Sequence, residues 1–335
     1  DAGVTFADIC YASNPSYTNV PDDNFEQALI DLGYDTALDD YVLTENISGV
    51  TSLNVSQKAI SDLTGIEDFI ALTELTCQDN QFTSLDLSNN TALIALHCMN
   101  NQLTALDVTA NTALTGLYIG GGSQSQISTL DLSNNTALIS LNTQDILTLT
   151  SLDVSNNTAL TDLGCWNNSL ATLNVNGASS LTYLHCNNNQ LTNLDVSNNT
   201  ALTSLICYSN QLTSLDLSAN TDLTYLHSDG NPLTSLDVSA NTSLTSLSCN
   251  NNQLTNLDVS NNTALTGLWC DSNQLINMDL SANTALTNLN CQGNQLTSLD
   301  VSANTALTYL KCYNNQLTSL NVSNNTALTS LSCQD

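Results

Sequence analysis

"LTSLSCNNNQLTNLDVSNNTA", residues 244–264, decides the fold, because close copies of these letters recur along most of the 335-residue chain. Units begin at Leu72, Leu93, Leu114, Leu138, Leu160, Leu181, Leu202, Leu223, Leu244, Leu265, Leu286, Leu307 and Leu328, in steps of 21 residues apart from one of 24 and one of 22. A fixed period of this size marks a solenoid, in which each unit forms one coil and neighbouring coils share a continuous core. In the L-x-L-x-C half, alternation sends Leu247 and Cys249 inward and leaves Ser248 on the open face, as in a half-buried strand. In the L-T-x-L-D-V-S half, Leu257 and Val259 point inward, Asp258 and Ser260 outward. So short a unit leaves little room for a helix, and the convex return is expected to be extended or 3-10. The ninth-position Asn (Asn80, Asn101, Asn189, Asn252, Asn315) sits where the strand must turn, with an amide able to satisfy backbone groups the turn leaves unpaired.

Two Lys plus Arg stand against 31 Asp plus Glu, a formal charge of −29 that repels phosphate backbones and anionic lipid surfaces. Nucleic acid and membrane insertion are therefore excluded as partners, and no apolar run approaches the roughly 18–20 residues of a membrane span. The chain starts at Asp1, not Met, which we read as removal of a leading segment from a secreted protein. With three His, and Ser and Thr placed by periodicity, no catalytic constellation assembles, so a non-enzyme without cofactor is expected.

The N-terminal stretch "VPDDNFEQALIDLG", residues 20–33, offers Asp22 or Asp23 as N-cap, Phe25, Leu29 and Leu32 at helical spacing, and Gly33 as a stop. It predicts a short helix covering the open first coil. The expected organisation is an N-terminal segment at 1–19, a helical cap at 20–49 and the solenoid at 50–335. The solenoid comprises one longer repeat followed by about twelve 21-residue units, the last truncated.

That longer repeat, "VTSLNVSQKAISDLTGIEDFIALTEL" at 50–75, resembles those of the internalins, bacterial surface leucine-rich-repeat proteins. The regular units contain L-x-x-L-x-C-x-x-N and are similar to the cysteine-ladder repeats of internalin J type; their Asn-Thr-rich wording also resembles secreted leucine-rich-repeat proteins of Bacteroidetes. The resemblance covers about residues 20–335. It implies a right-handed leucine-rich-repeat solenoid with parallel β-strands on the concave face, and an extracellular or cell-surface adhesion module that binds a protein or glycan.

Cys77, Cys98, Cys165, Cys186, Cys207, Cys249, Cys270, Cys291, Cys312 and Cys333 share one inward position. Rungs about 4.7–4.9 Å apart would nominally permit disulfides, but parallel side chains entering a core are read as structural thiols packed like small hydrophobes. Ile119, Thr143 and Ser228 replace Cys at this position, which suits packing. No Cys-x-x-Cys pair indicates metal, and Cys10 lies outside the array. Asp86, Asp107, Asp131, Asp153, Asp195, Asp216, Asp237, Asp258, Asp279 and Asp300 form an outer ladder, read as a solvated acidic flank with weak calcium binding as the alternative. "DTALDD", residues 35–40, is a tighter acidic loop without calcium-hand spacing. Asn-x-Thr sequons at Asn89, Asn134, Asn156, Asn198, Asn261 and Asn324 are read as turn chemistry.

The letters that vary are positions three, five and seven, which face the concave surface. The candidate ligand-binding residues there are Trp166, Tyr183, His185, Tyr208, Tyr225, His227, Trp269, Tyr309, Lys311 and Tyr313, with Tyr118 and Ile206 alongside. Exposed aromatics are good anchors. His185 and His227 lie two rungs apart, about 10 Å, too far for one zinc ion. A Gly- and Ser-rich insertion at 118–128 is expected either to flank the surface or to be a degenerate repeat. Two further readings compete: a self-assembling filament joined through an uncapped C-terminal end, and an ice-binding face built on Thr83, Thr104, Thr192, Thr213, Thr234, Thr255, Thr297 and Thr318.

Overall fold

The computed structural model describes residues 15–122 and 124–334. Three-residue strands, one per unit, stack into a single 14-stranded sheet that runs in chain order from Ser52–Asn54 to Ser330–Ser332. Every pairing is parallel and in register, so that Leu205, Leu226 and Leu247 sit directly above one another. These leucines and the ladder cysteines from Cys77 to Cys312 are buried, as are Leu257 and Val259 of the opposite wall. One continuous core therefore runs the length of the coil.

The convex return is extended and closes each coil with two successive turns. In one coil Asn262 N–H donates to Val259 O at 3.0 Å and Leu265 N–H to Asn262 O at 3.1 Å. The expected extended side is present. The 3-10 alternative is met only at Ile66–Asp68 among the described residues, inside the longer repeat. At 151–174 the convex side adds a short parallel pair, Ser151–Asp153 with Thr172–Asn174.

Two ladders of asparagine tie the coils together. On the turn side, Asn252 Nδ2 donates to Cys249 O at 3.0 Å and to Ser228 O of the coil before at 3.2 Å, while its Oδ1 accepts from Leu233 N–H. The residue before it is held left-handed (φ +52° at Asn251), which accounts for the Asn, Asp, Ser or Gly found at that position. The second ladder went unread in the sequence. The second Asn of each N-N-T is fully buried, and Asn262 Nδ2 donates to Val238 O at 3.0 Å and Asn241 O at 2.8 Å. The first Asn, at the sequon position, stays exposed on the turn, as at Asn89 and Asn261. Position-two threonines add a third tie, Thr245 Oγ1 donating to Thr224 O at 3.1 Å.

Among the described residues no disulfide forms, and burial pushes the Cys98, Cys165 and Cys207 thiols up to about 12. Ile119, Thr143 and Ser228 occupy the same buried slot. Cys333 is a correction: it is exposed, because no described rung covers it. Cys10 lies outside the described residues.

At the other end a helix spans Asp23–Asp31 with Asp22 as its N-cap. Asp22 Oδ1 accepts from Asn24 and Phe25 N–H, and Oδ2 accepts from Ser61 N–H, Ser61 Oγ–H and Asp62 N–H, joining helix to first coil. Burial alone would raise this carboxyl, yet those bonds outweigh it and hold the group below the usual range. Phe25 packs on Phe69, ring centroids 6.4 Å apart. Leu32 is a second correction: it ends the helix as C-cap and is 46% exposed, the buried face being Phe25, Ala28 and Leu29 with Glu26. Gly33 at φ +82° terminates the helix as read. Glu26 Oε1 accepts from Asp39 and Tyr41 N–H, so the 35–40 loop is pinned by a buried carboxylate.

Candidate functional site

Because strands are parallel and in register, side chains at one unit position line up across rungs. Tyr183, Ser204 and Tyr225 form one such row, and His185, Ile206 and His227 the next. Trp166 and Tyr208, two residues past the strand positions, close the row from the turn side. Trp166 meets His185 with centroids 6.0 Å apart, and Tyr208 lies on His227 at 4.5 Å. Five of the six central candidates line two hollows that share Trp166 and His185, and Tyr225 lies in the row of Tyr183. Trp166, His185, Ile206, Tyr208 and His227, with three asparagines, line a hollow of about 280 Å³. Trp166 and His185 also line a second hollow of about 170 Å³ with Tyr118, Asn142, Asp162, Gly164 and Tyr183. The two form one trough across the rungs.

Polar groups missed in the sequence fix this trough. His227 Nε2 lies 3.0 Å from Asp229 Oδ2. Asp229 also accepts from Ser248 Oγ–H at 2.7 Å and from Asn250 N–H at 2.9 Å and Nδ2 at 3.0 Å. Its burial would raise the carboxyl, but the bonds from His227, Ser248 and Asn250 outweigh this and hold it below the usual range. His185 has no such partner, and burial lowers it, against the opposing pull of Asp162. His97 is a further omission: it stacks on Tyr118 at 4.5 Å with planes 6° apart.

Trp269, Tyr309, Lys311 and Tyr313 stand apart, farther along the sheet. Trp269, Asn290 and Lys311 share a row, and Lys311 Nζ lies 5.5 Å from the centre of the Tyr309 ring. His185 and His227, two rungs apart with Ile206 between, do not converge. Among the described residues no three His, Cys, Asp or Glu side chains gather where they could hold a metal. The Asp ladder serves the backbone: Asp86, Asp107, Asp216, Asp237, Asp258 and their equivalents accept from the N–H two residues on, at 2.8–3.0 Å. Bonds from Ser260, backbone first, hold Asp258 below the usual carboxylate range.

A further hollow, about 640 Å³, lies on the turn edge of the first units and is lined by Gln57, Asp79, Gln81, Asn100, Gln102 and Gln124 among others. Its lining lacks aromatic rings. The Gly-rich insertion belongs here: Gly121 at φ +87° packs so closely on Asn100 that a β-carbon would sit 2.4 Å from its Oδ1.

No helix among the described residues is long and apolar enough to cross a membrane. No family model matches the chain. A stretch of 71 residues is 40% identical to Internalin J of Listeria monocytogenes, covering 21% of this chain and 8% of that protein. The functional domain of InlJ from Listeria monocytogenes, solved with its cysteine ladder, is 36% identical at a TM-score of 0.76, over 95% of this chain and 76% of that one. An internalin, InlF, from the same species is 25% identical at a TM-score of 0.71, over 97% of this chain and 93% of that one. With the shared strand cysteines buried in one ladder, this chain belongs to the internalin family of leucine-rich-repeat proteins.

Proposed function

We propose that the chain is the recognition part of a secreted or cell-surface protein, and that its concave trough binds a macromolecule, protein or glycan, on another surface. The observation that carries this reading is the trough itself, lined by Trp166, Tyr183, His185, Tyr208 and His227, with Tyr225 in the row of Tyr183, all at positions left free to vary by an otherwise repeated scaffold. Curved solenoids offer such extended concave surfaces for binding, and aromatic anchors supply most of the energy at an interface. The module acts by binding and not by catalysis. Residues 20–49 close the first coil, in keeping with the Phe25–Phe69 and Asp22–Ser61 contacts, and residues 50–335 carry the binding surface.

The test is saturation binding of the labelled chain to panels of intact cells. The comparison is a variant carrying Trp166→Ala, Tyr183→Ala, Tyr208→Ala and Tyr225→Ala, with melting curves for both. The wild type is expected to bind and the folded variant to lose at least tenfold in affinity. Equal binding by both contradicts the reading.

A further inference from the structure

We propose that the trough is built for a neutral carbohydrate chain, received on aromatic rings that lie down on glycine. This deepens the concave-face reading and rests on it. Three rings share one device. Tyr118 follows Gly116 by two residues, Trp166 follows Gly164, and Trp269 follows Gly267. Trp166 Cζ3 and Trp269 Cη2, at 2.5 Å and 2.4 Å, occupy the space a β-carbon would take on the glycine, and Tyr118 Cε2 comes within a tight 3.1 Å of that position. Each ring therefore folds back over its own strand, with Tyr118 also stacked by one face on His97 and free on the other, so less rotamer freedom remains to be lost on binding.

A protein hot spot normally projects into a pocket on its partner. A ring resting on its own sheet cannot project. It offers area to a flat apolar surface, which the C–H face of a pyranose supplies, and it favours stacking. Tyr183 and Tyr225, 48% and 38% exposed and without a glycine beneath, stand beside the trough as walls. Asn142, Asp162, His185 and Asn187 place donors and acceptors round the rings, as sugar hydroxyls require. Charge selects further: at −29, uronic, sulfated or sialylated glycans are repelled. The Tyr118 and Trp166 strands are two rungs apart, about 10 Å. Trp269 lies five rungs beyond the Trp166 strand, about 24 Å. The saccharide chain accordingly runs across the strands, along the axis of the solenoid.

Both tryptophans of the chain lie in this series, so intrinsic emission reports on it directly. The experiment titrates the protein with short oligosaccharides of β-linked glucose, mannose, xylose, galactose and N-acetylglucosamine, with sulfated galactan and polysialic acid as charged comparisons. At least one neutral series should shift tryptophan emission saturably, and the charged glycans should not. Trp166→Ala and Tyr118→Ala should each weaken that binding by roughly tenfold, about 1.4 kcal/mol. Gly164→Val, whose side chain would lift the Trp166 ring, should do the same, with circular dichroism confirming the fold. The proposal is overturned if no neutral saccharide changes emission or produces heat in calorimetry, or if Trp166→Ala and Tyr118→Ala bind like the wild type. If saccharides fail while the chain still binds cells and the four-alanine variant does not, the occupant is a protein. The carbohydrate proposal then falls and the concave-face reading stands.

Discussion

The inner and outer sides of the same rung are built from different kinds of letter. On the convex side Leu257, Val259, Asp258 and Asn262 recur almost unchanged, and each is committed: the apolar pair to the core, the Asp to its own turn, the Asn to the carbonyls of the coil before. On the concave side the rows Tyr183–Ser204–Tyr225 and His185–Ile206–His227 change from one rung to the next while their strands stay in identical register. A repeat can hold one face constant and release the other because strand alternation separates them. The constant letters carry stability, and the varying ones are free to carry the recognition proposed for the concave face.

That division can be broken most easily in the core. Leu268→Ala, at a fully buried position, should cost about 2–5 kcal/mol by urea unfolding. Asn262→Ala removes two donations to buried carbonyls, each of which keeps one backbone donor (Asn241 N–H on Val238 O, Leu244 N–H on Asn241 O), and should cost about 1–3 kcal/mol. If the convex Asn tolerates alanine freely, the second ladder does not tie the coils. Cys249→Ser should cost about 1 kcal/mol, since Ser228 already fills the same slot with its hydroxyl donating to Ser248 O at 3.3 Å. The thiols from Cys77 to Cys291 should react with a thiol reagent only after unfolding, their pKa values being raised by burial.

The Asp ladder gives a smaller, pH-dependent effect. Each ladder Asp is held below its ordinary value by its turn bonds, so its contribution is complete above the unfolded pKa of about 4 and is lost as pH falls through the lower folded value. Melting temperature should therefore be level from about pH 7 to 5 and decline below about 4. A decline already complete at pH 5 would contradict this account. Smallest of all, Tyr183→Ala should change stability by less than about 0.5 kcal/mol, as expected for an exposed side chain.

The fold was legible because the repeat encodes it locally: spacing named the strands, alternation named the core, and Asn252 announced the turn. What escaped depends on partners a coil away. Asn262 looks like half of a surface sequon until the preceding coil supplies Val238 O and Asn241 O. Asp229 meets His227 on its own rung, and Ser248 and Asn250 on the next rung complete its bonding. Leu32 fitted the helical spacing, but the helix stops at Asp31 and leaves it at the surface. The site residues were legible as letters that vary. The glycines beneath Tyr118, Trp166 and Trp269 were legible too, two residues ahead of each ring, but their meaning needs the sheet on which the rings lie.

The most direct measurement exchanges the concave letters alone. Trp166→Asn, Tyr183→Ser, His185→Asn, Tyr208→Asn, Tyr225→Ser and His227→Ser install residue types that other units carry on this face. Melting temperature and saturation binding to cells are then read on the same protein. The account predicts a melting temperature within about 4 °C of wild type and binding lost by at least tenfold. Retained binding, or loss of binding only together with loss of the fold, would contradict it.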